Sequence, residues 1–504
     1  MIAALLGALL LPSPSGADVT IYPPPDGEPA SADYAVTVYG EPTFCYTSYQ
    51  FADESDERIA GRPVSPISFC YFDIDGEATV SIGFLDGLRE AGVDTSSVVV
   101  RPLAHGITPE VVDNEIRFTL DAPCQLSVEP GGSLKHPLHI FANPPETDVP
   151  DPDDPDVRYF GPGRHRAREI DIKASETVYI AGGAIVELDP VPEAELGEPH
   201  KAYGLDVYST TGLFDGHWQK DVTVRGRGII CGRRAIEQRQ RGPLIRVQGI
   251  ENLKIEGIII RESSVWSLNV VNCRDVHIDN VKIVGHYVNN DGICIGGTSD
   301  ALVENCFTHN ADDSFEIKVW IPQENVTFRN CVVWNNVGGS LGLMHETGAD
   351  ITNVVYEDCT VIHSTDNISA CPVVGLKLTG PGNATNFRFE NIVIEDVCGP
   401  RHAPIKVINN WDDWHVEHPT KPGSPYELLD PPEREEPSGK ISNVVFRNIT
   451  VLSSASSDVV LISDGPGSEI DGITFENVVI NGQRLETGDP RIKTNAGVTR
   501  VEVR

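Results

Sequence analysis

The segment from Ala301 to Trp334, ALVENCFTHNADDSFEIKVWIPQENVTFRNCVVW, contains the pattern that decides the fold. It holds two copies of one short phrase, Val303-Glu-Asn-Cys306 and Phe328-Arg-Asn-Cys331. In each copy an apolar residue, a polar residue and Asn are followed by another apolar residue. β-Branched and aromatic residues alternate with polar ones around the phrase, and Asn, Gly and Asp separate the runs. This pattern is typical of short strands joined by tight turns.

The phrase recurs along the second half of the chain at intervals of about 25 residues. Further copies begin at Ile255, Ile278, Tyr356, Phe389, Phe446 and Phe475. Helical periodicity is absent from this region, which disfavours a doubly wound sheet or a barrel with crossover helices. A repeat of this length with about three short strands is the unit of a right-handed parallel β-helix, whose coils stack at about 4.8 Å. The longer steps after Tyr356 and Phe389 indicate inserted loops.

Three of the eleven cysteines fall in the apolar slot of the repeat, at Cys306, Cys331 and Cys359. We therefore expect them to point inward as small hydrophobic residues, the alternative being a disulfide or a reactive thiol. The odd number of cysteines argues against a disulfide framework as the main source of stability. The Cys and His residues do not show the spacing of a zinc site.

The composition predicts a folded protein, with 40% hydrophobic and 22% charged residues among 504, and the strand pattern predicts an all-β fold. Residues 1–18 resemble a secretory signal peptide without its basic start, which predicts a secreted or periplasmic protein. Alternating strands and turns over residues 19–163 predict an N-terminal β-sandwich. Residues 164–504 are assigned to the β-helix, the catalytic domain. The sequence contains no apolar run of the length that spans a membrane.

The net charge of the chain restricts the classes of molecule that it can bind. The 39 Lys and Arg residues and 74 Asp and Glu residues leave a net charge of −35. Long-range repulsion then disfavours nucleic acid, anionic lipid and polyanionic glycans as partners. The oligomeric state is left open by the sequence.

Three aspartates carry the strongest functional signal: Asp291 in Asn289-Asn-Asp-Gly292, and Asp312 and Asp313 in Asn310-Ala-Asp-Asp313. They are spaced by close to one coil, so they should lie on adjacent coils of one face. Both members of the Asp312–Asp313 pair can face the solvent only at a bend. Carboxylates held together raise the pKa of at least one member, which keeps a general acid protonated. Inverting glycosidases need two carboxyl groups roughly 6.5–9.5 Å apart, and retaining ones need about 5–5.5 Å. Turn formation and calcium binding are the alternatives for such residues.

This arrangement, followed by Lys318, resembles the catalytic core of the polygalacturonase-type hydrolases of glycoside hydrolase family 28. The details Asn290-Asp-Gly-Ile293, Asp312-Asp313 with Lys318, and Val332-Val-Trp-Asn-Asn336 behind a β-sandwich resemble more closely the related dextranase and isopullulanase group, family 49. The resemblance implies that Asp312 is the general acid and that Asp291 and Asp313 activate water. It implies no metal and no cofactor, and it makes Lys318 a substrate-binding residue that either hydrogen-bonds a sugar hydroxyl or tunes the neighbouring acid.

The sequence departs from the polygalacturonase pattern where that family has Gly-His-Gly and Arg-Ile-Lys. Here the stretches read Gly342-Leu-Met-His-Glu346 and Gly375-Leu-Lys-Leu378. His345 is a candidate for the missing histidine, with a partly buried turn histidine as the alternative, and Lys377 lies near the basic position. With one basic residue there and a charge of −35, we expect a neutral or lightly modified polysaccharide or oligosaccharide as substrate.

Aromatic residues supply further candidate substrate contacts, because sugar C–H faces pack on indole rings. Trp320 follows the Asp312 coil, and Trp411 and Trp414 lie in a long polar loop that must protrude from the helix. Trp334 sits in an apolar run, which favours core packing over sugar stacking. His286 either lines the cleft or is a satisfied histidine at a coil corner.

Two other functions compete with a glycoside hydrolase. A polysaccharide lyase or epimerase also uses a parallel β-helix, since fold does not determine function. It must neutralise a uronate carboxylate, and arginines are sparse from Asp275 to Ser340. A non-catalytic glycan-binding β-helix would use the same aspartates as turn or calcium ligands.

Overall fold

The computed structural model describes residues 9–12, 18–49, 65–112, 115–202, 205–287, 289–365, 371–398, 402–410, 439–464 and 467–504. The described chain forms two β-sheets packed face to face, followed by a parallel β-helix. The predicted fold class, an all-β chain with an N-terminal sandwich before a right-handed β-helix, is confirmed. In the described part, no helix combines the length and the apolar composition that a membrane crossing requires.

The helices of the described chain are short. Asp86–Glu90 and Arg233–Glu237 are α-helical, and Leu103–His105 and Glu193–Glu195 are 3₁₀ turns. The predicted signal peptide lies largely outside the described residues. Its part Leu9–Pro12 is described as a strand that pairs antiparallel with Asp18–Ile21.

The sandwich consists of a seven-stranded and a five-stranded sheet. The larger sheet contains Leu9–Pro12, Asp18–Ile21, Tyr46–Ser48, Ile67–Ile74, Val98–Arg101, Cys124–Pro130 and Leu138–Asn143. The smaller contains Tyr34–Val38, Glu41–Thr43, Ala78–Phe84, Glu110–Val112 and Glu115–Leu120. Burial alternates along Glu115–Leu120, as expected for a strand with one face in the core and one in solvent. Ile67–Ile74 is instead buried at every residue, so both faces of the larger sheet are covered there.

The β-helix has three stacks of parallel strands. Stack A contains Val157–Phe160, Thr177–Ile180, Lys220–Gly226, Glu251–Glu256, Arg274–Asp279, Ser299–Glu304, Gln323–Arg329, Ile351–Glu357, Ala384–Ile394, Lys440–Val451, Glu469–Ile480 and Val498–Val503. Stack B contains Gly163–Ala167, Ala184–Leu188, Ile229–Cys231, Ile259–Arg261, Lys282–Val284, Phe307–Asn310, Val332–Asn335 and Thr360–Ser364, and it continues along the second halves of the three longest strands of stack A.

Stack C contains Ile170–Asp171, Phe214–His217, Ile245–Gln248, Leu268–Val271, Ile293–Gly296, Phe315–Val319, Leu341–Thr347, Val374–Leu378, Ile405–Asn409, Val459–Ser463 and Ile492–Thr494. A small sheet of His200–Ala202, Leu205–Ser209 and Gln240–Arg241 lies apart from the stacks, and Gln483–Arg484 pairs antiparallel with the last long strand.

The β-helix begins before residue 164, the start predicted from the sequence. Val157–Phe160 already pairs parallel with Thr177–Ile180. The first strand follows directly on the acidic, proline-rich connector and lacks the Asn phrase of the later coils. The sequence pattern therefore placed this strand with the sandwich, while the pairing places it in stack A.

The Asn of the repeated phrase turns the chain from stack A into stack B. Asn305, Asn330 and Asn391 have φ of 54°, 50° and 56°, a left-handed conformation that Asn adopts more readily than most residues. Their side chains also bond from coil to coil, as where Asn330 Nδ2 donates to Asn305 Oδ1 at 2.7 Å. The phrase therefore encodes a turn whose side chain also links successive coils.

The apolar slots of the phrase fill the interior of the helix. Phe328, Tyr356, Phe389, Phe446 and Phe475 stack face to face on successive coils, with ring centroids 4.6, 5.1, 4.9 and 5.3 Å apart. The cysteines predicted to point inward are buried in the same core, which confirms that prediction. All eleven cysteines are described, and none forms a disulfide.

The sandwich packs on the outer face of stack B. Phe69 and Tyr71 of the larger sheet join a buried cluster with Ile259, Phe307 and Trp334 of the helix. Trp334 is 1% exposed, so it serves packing, as the sequence favoured. Buried ion pairs also join the two parts: Arg227 with Asp73 at 3.1 Å, Arg261 with Glu28 at 2.7 Å, and Arg101 with Glu395 at 2.7 Å. The interface has the apolar and paired polar character of a stable contact.

Candidate active site

The three aspartates lie at the turn from stack B to stack C, which we call the B–C corner. Asp291 precedes strand Ile293–Gly296, and Asp312 and Asp313 precede Phe315–Val319 on the next coil. The chain bends at residues 311 and 312, as the sequence required for the pair. Asp291 and Asp313 are 2% and 3% exposed, whereas Asp312 is half-buried. Two carboxylates are thus withdrawn from water and one is within its reach.

Buried asparagines hold the backbone of this corner. Asn310 Nδ2 donates to the carbonyl oxygens of Asp312 at 2.7 Å and Asp313 at 3.0 Å. Asn335, one coil later, also donates to the carbonyl oxygen of Asp312. Asn289 Nδ2 reaches Asp312 Oδ2 at 3.2 Å. The Asn residues of the motif therefore position the aspartates.

Lys318 lies at the centre of the acidic group. Its Nζ is 2.7 Å from Glu316 Oε2, 3.3 Å from Asp313 Oδ2, 3.4 Å from Glu346 Oε2 and 3.7 Å from Asp291 Oδ2. The ammonium, only 4% exposed, is thus shared by four carboxyl groups. Of the two roles that the sequence left open for Lys318, a hydrogen bond to a sugar hydroxyl and tuning of the neighbouring acid, these contacts favour the second.

Glu316 and Glu346 were not predicted as site residues. Glu316 follows the two-residue alternation of its strand and points to the same face as Lys318. Glu346 arrives through a bulge, because Ile317 pairs with Leu343 while Val319 pairs with Thr347. Three residues of the later strand therefore face Lys318. Bulges of this kind re-aim side chains next to active sites. The alternation around Glu316 was readable from the sequence, but the bulge was not.

The pKa values of the buried carboxyl groups around Lys318 shift in opposite directions. Burial, with Glu316 and Asp312 nearby, raises the pKa of Asp291 well above its usual range. Burial alone would also raise the pKa of Asp313, but Lys318, His345 and the Gly339 N–H lower it. Burial raises the pKa of Glu316 to about 8. Asp313 is therefore the carboxylate that remains ionised most readily, the property of a base.

His345 occupies the bulge with a φ of 58°. Its Nε2 lies 3.1 Å from Cys371 Sγ and 3.3 Å from Lys377 Nζ. Lys406 Nζ donates to the carbonyl oxygen of Cys371 at 3.3 Å. The structure thus brings together the predicted residues His345 and Lys377, and it adds Cys371 and Lys406, which the sequence gave no reason to select.

The aromatic and histidine residues predicted to contact substrate lie in surroundings that differ from one residue to the next. Trp320 is half-buried at the end of its strand, beside Gly348. Trp266, which was not predicted, has its ring centroid 6.0 Å from Lys318 Nζ. His286 is buried, and its Nδ1 lies 2.8 Å from Asn336 Nδ2. The same Asn336 Nδ2 also contacts His309. Trp411 and Trp414 lie outside the described residues.

One set of side chains in the described chain approaches the geometry of a metal site. Ligand oxygens of Asp291, Asp313 and Glu316 lie within 4.8 Å of one another. Lys318 contacts all three carboxyl groups, so an ammonium already supplies the positive charge that such a group requires.

The chain is similar to known proteins over the region that contains this geometry. The family model described as glycosyl hydrolases family 28 matches residues 229–498, a stretch that includes the whole B–C corner described above. An exopolygalacturonase from Zea mays is 28% identical over 166 residues, covering 32% of this chain and 39% of the relative. A polygalacturonase from Persea americana is 26% identical over 235 residues, covering 46% of each. The chain thus spans less than half the length of these curated relatives.

Among solved structures, Dex49A from Penicillium minioluteum is similar over 98% of this chain and 100% of its own, with a TM-score of 0.57 and 14% identity. At this identity the similarity concerns the fold. It extends over the sandwich as well as the β-helix.

Proposed function

Because the chain belongs to family 28 of the glycosyl hydrolases, we propose that it hydrolyses O-glycosidic bonds of a polysaccharide outside the cell by an inverting mechanism. The observation that carries the proposal is the B–C corner. It presents Asp291, Asp312 and Asp313 on two successive coils, with one buried ammonium in contact with Asp291 and Asp313. Hydrolysis with inversion needs an acid on the leaving oxygen and a base that activates water across the sugar ring.

The environments of the carboxyl groups support a division of roles. Asp313, whose pKa is lowered, is the base that takes a proton from the attacking water. Asp291 lies across Lys318 from it and helps to hold that water. Asp312, the more exposed of the three, donates its proton to the leaving oxygen, with Asn289 orienting its carboxyl group. Positioned acid and base groups of this kind contribute about 10²- to 10⁴-fold each to the rate.

We propose a neutral or lightly modified glycan as the substrate. The B–C corner holds five carboxyl groups, four of them in contact with Lys318, and the chain carries −35 charges, so a polyuronide would be repelled at long range. Lys377 and His345 lie on the following coils and offer positive charge for an occasional acidic substituent. A galacturonate polymer is the second candidate, since the matched curated relatives are named polygalacturonases.

The test is product release from a panel of neutral and acidic polysaccharides, with wild type beside Asp312→Asn. We expect cleavage of a neutral glycan, an inverted anomeric configuration by NMR, and a loss of about two or more orders of magnitude in the variant. Asp300→Asn is the matched control. Asp300 is the second residue of the stack A strand Ser299–Glu304 and has a φ of 54° that Asn accommodates, so the activity of this variant should stay at the wild-type level.

Three outcomes would overturn the proposal. An unsaturated product absorbing in the ultraviolet would identify a lyase, since hydrolysis leaves no double bond. A uronate epimer without chain cleavage would identify an epimerase. Calcium-dependent glycan binding that survives Asp312→Asn, with no turnover on any substrate, would identify a binding protein.

A further inference from the structure

Glu316 stands out as a buried acidic residue to which the mechanism above assigns no step. It lies on the cleft-facing side of strand Phe315–Val319 and is nevertheless 0% exposed. Its neighbours in stack C are Cys294 on the preceding coil and Gly342 on the following one. A Cβ at Gly342 would lie 1.9 Å from the carbonyl oxygen of Gly375, so this position must remain without a side chain. The small neighbours leave room for the Glu316 carboxyl group against the strand.

The contact between Glu316 and Lys318 is the shortest in the acidic group. Nζ is 2.7 Å from Glu316 Oε2, against 3.3 Å from Asp313 and 3.7 Å from Asp291. Both residues belong to one strand and point to one face, so their side chains are held side by side. The aspartates, by contrast, reach Lys318 from the corner loops. Glu316 therefore holds the ammonium in place, and the ammonium in turn stabilises the negative charge of the aspartates.

We propose that Glu316 is a positioning residue of the active site, which anchors the Lys318 ammonium where it contacts both Asp313 and Asp291. This inference rests on the proposed hydrolase function. Being fully buried, Glu316 does not touch substrate and acts through Lys318. Without it, the ammonium has three remaining carboxyl partners, of which the half-buried Glu346 is nearest to water. It would then move towards Glu346 and away from Asp313.

The groups that face Glu316 come from three successive coils: Asp291 and Cys294, Asp313 and Lys318, and Glu346. Burial raises the pKa of Glu316 to about 8. Below that pH the side chain is protonated and adds no charge to the group. Above it, the new carboxylate draws the ammonium from Asp313, so wild-type activity should fall as the pH rises through about 8.

The experiment compares wild type, Glu316→Leu, Glu316→Gln, Lys318→Met and the Glu316→Leu/Lys318→Met double variant. Leu removes the oxygen that holds the ammonium, so we expect kcat to fall by about 10- to 100-fold with KM unchanged, the scale of a displacement of about 1 Å. Gln keeps a neutral oxygen acceptor, as protonated Glu316 does, so it should retain activity below about pH 8 and lose only the alkaline fall. In the Lys318→Met background, Glu316→Leu should cause no further loss, because two residues that act through one contact are not additive.

Glu395→Gln is the control for a merely structural role. Glu395 is a buried glutamate, 2% exposed and 2.7 Å from Arg101 at the sandwich interface. Its substitution should lower thermal stability and leave the pH profile unchanged. If Glu316→Leu lowers thermal stability and leaves kcat unchanged, or if its effect multiplies with that of Lys318→Met, the proposal is wrong.

A crystal structure of Glu316→Leu gives a readout that is independent of turnover. We expect Lys318 Nζ to move away from Asp313 towards Glu346. An ammonium in its wild-type place would overturn the positioning role, even if no substrate were found. Absence of turnover in wild type would instead reject the proposed function while leaving this structural test intact.

Discussion

Substitution of Lys318 by Met tests whether the Lys318 ammonium lowers the pKa of Asp313 and so makes it the base of the B–C corner. The methionine side chain has a similar length and removes the only ammonium that the four surrounding carboxyl groups share in the described structure. Asp313 then loses the main interaction that lowers its pKa. The reasoning predicts that Asp313 becomes protonated in the acid range where the wild-type enzyme holds it ionised.

The size of the effect follows from the distance. At 3.3 Å, two unit charges attract by about 5 kcal/mol with an effective dielectric constant of about 20. One pKa unit corresponds to about 1.4 kcal/mol, so the full attraction equals about 3 to 4 units. Because Glu316, Glu346 and Asp291 share the same ammonium, we expect about half of this, a rise of about 2 units for Asp313.

The assay is the pH dependence of kcat/KM. The acid limb of Lys318→Met should move upward by about 2 pH units, so activity should fall by up to about 100-fold at pH values below the wild-type limb and recover towards neutral pH. Lys282→Met is the matched control. Lys282 is also a fully buried lysine on a strand, but its ammonium donates to Asn143 of the sandwich, so its replacement should leave the acid limb in place. An acid limb that stays in place in a folded Lys318→Met protein would refute the reasoning.

Two further predictions concern stability. Phe389→Ala should destabilise the helix by about 3–5 kcal/mol in chemical unfolding, because Phe389 is stacked between Tyr356 at 5.1 Å and Phe446 at 4.9 Å; Phe389→Leu should cost less, and equal costs would contradict the stack. Burial alone would lower the pKa of His363, but Glu129 and Asp396 raise it. Protonated His363 therefore stabilises the folded state fully below about pH 6.5, the pKa of an unfolded histidine, and this stabilisation is lost as the pH rises through the raised pKa of the folded state. Unfolding free energies at pH 6 and 8 should show this loss in wild type and not in His363→Gln.

The fold was predictable because its signals are local. The phrase at Val303–Cys306 combines a left-handed Asn with inward apolar residues on either side, and both features act within four residues. Each coil repeats them, so the stacking follows from the sequence pattern without knowledge of distant contacts. The aspartates were located for the same reason, since one coil of spacing brings Asp291 and Asp312 to the same corner.

The remainder of the candidate site depends on register between coils. Glu346 reaches Lys318 only because the strand Leu341–Thr347 bulges against Phe315–Val319, and single-sequence patterns do not encode which residue bulges. His286 reads as a plausible cleft residue, yet the docked sandwich and the turn of Asn336 place it in a buried polar chain. Its surroundings come from segments far apart in the chain.

The sequence by itself determined the β-helix, the sandwich before it and the corner that carries the three aspartates, because short-range turn and alternation preferences specify them. The tertiary structure alone decided the charge state of that corner. Whether a buried carboxyl group keeps its proton depends on the ammonium and carboxylates within about 4 Å. Those neighbours are assembled from three coils, and their distances are set by packing.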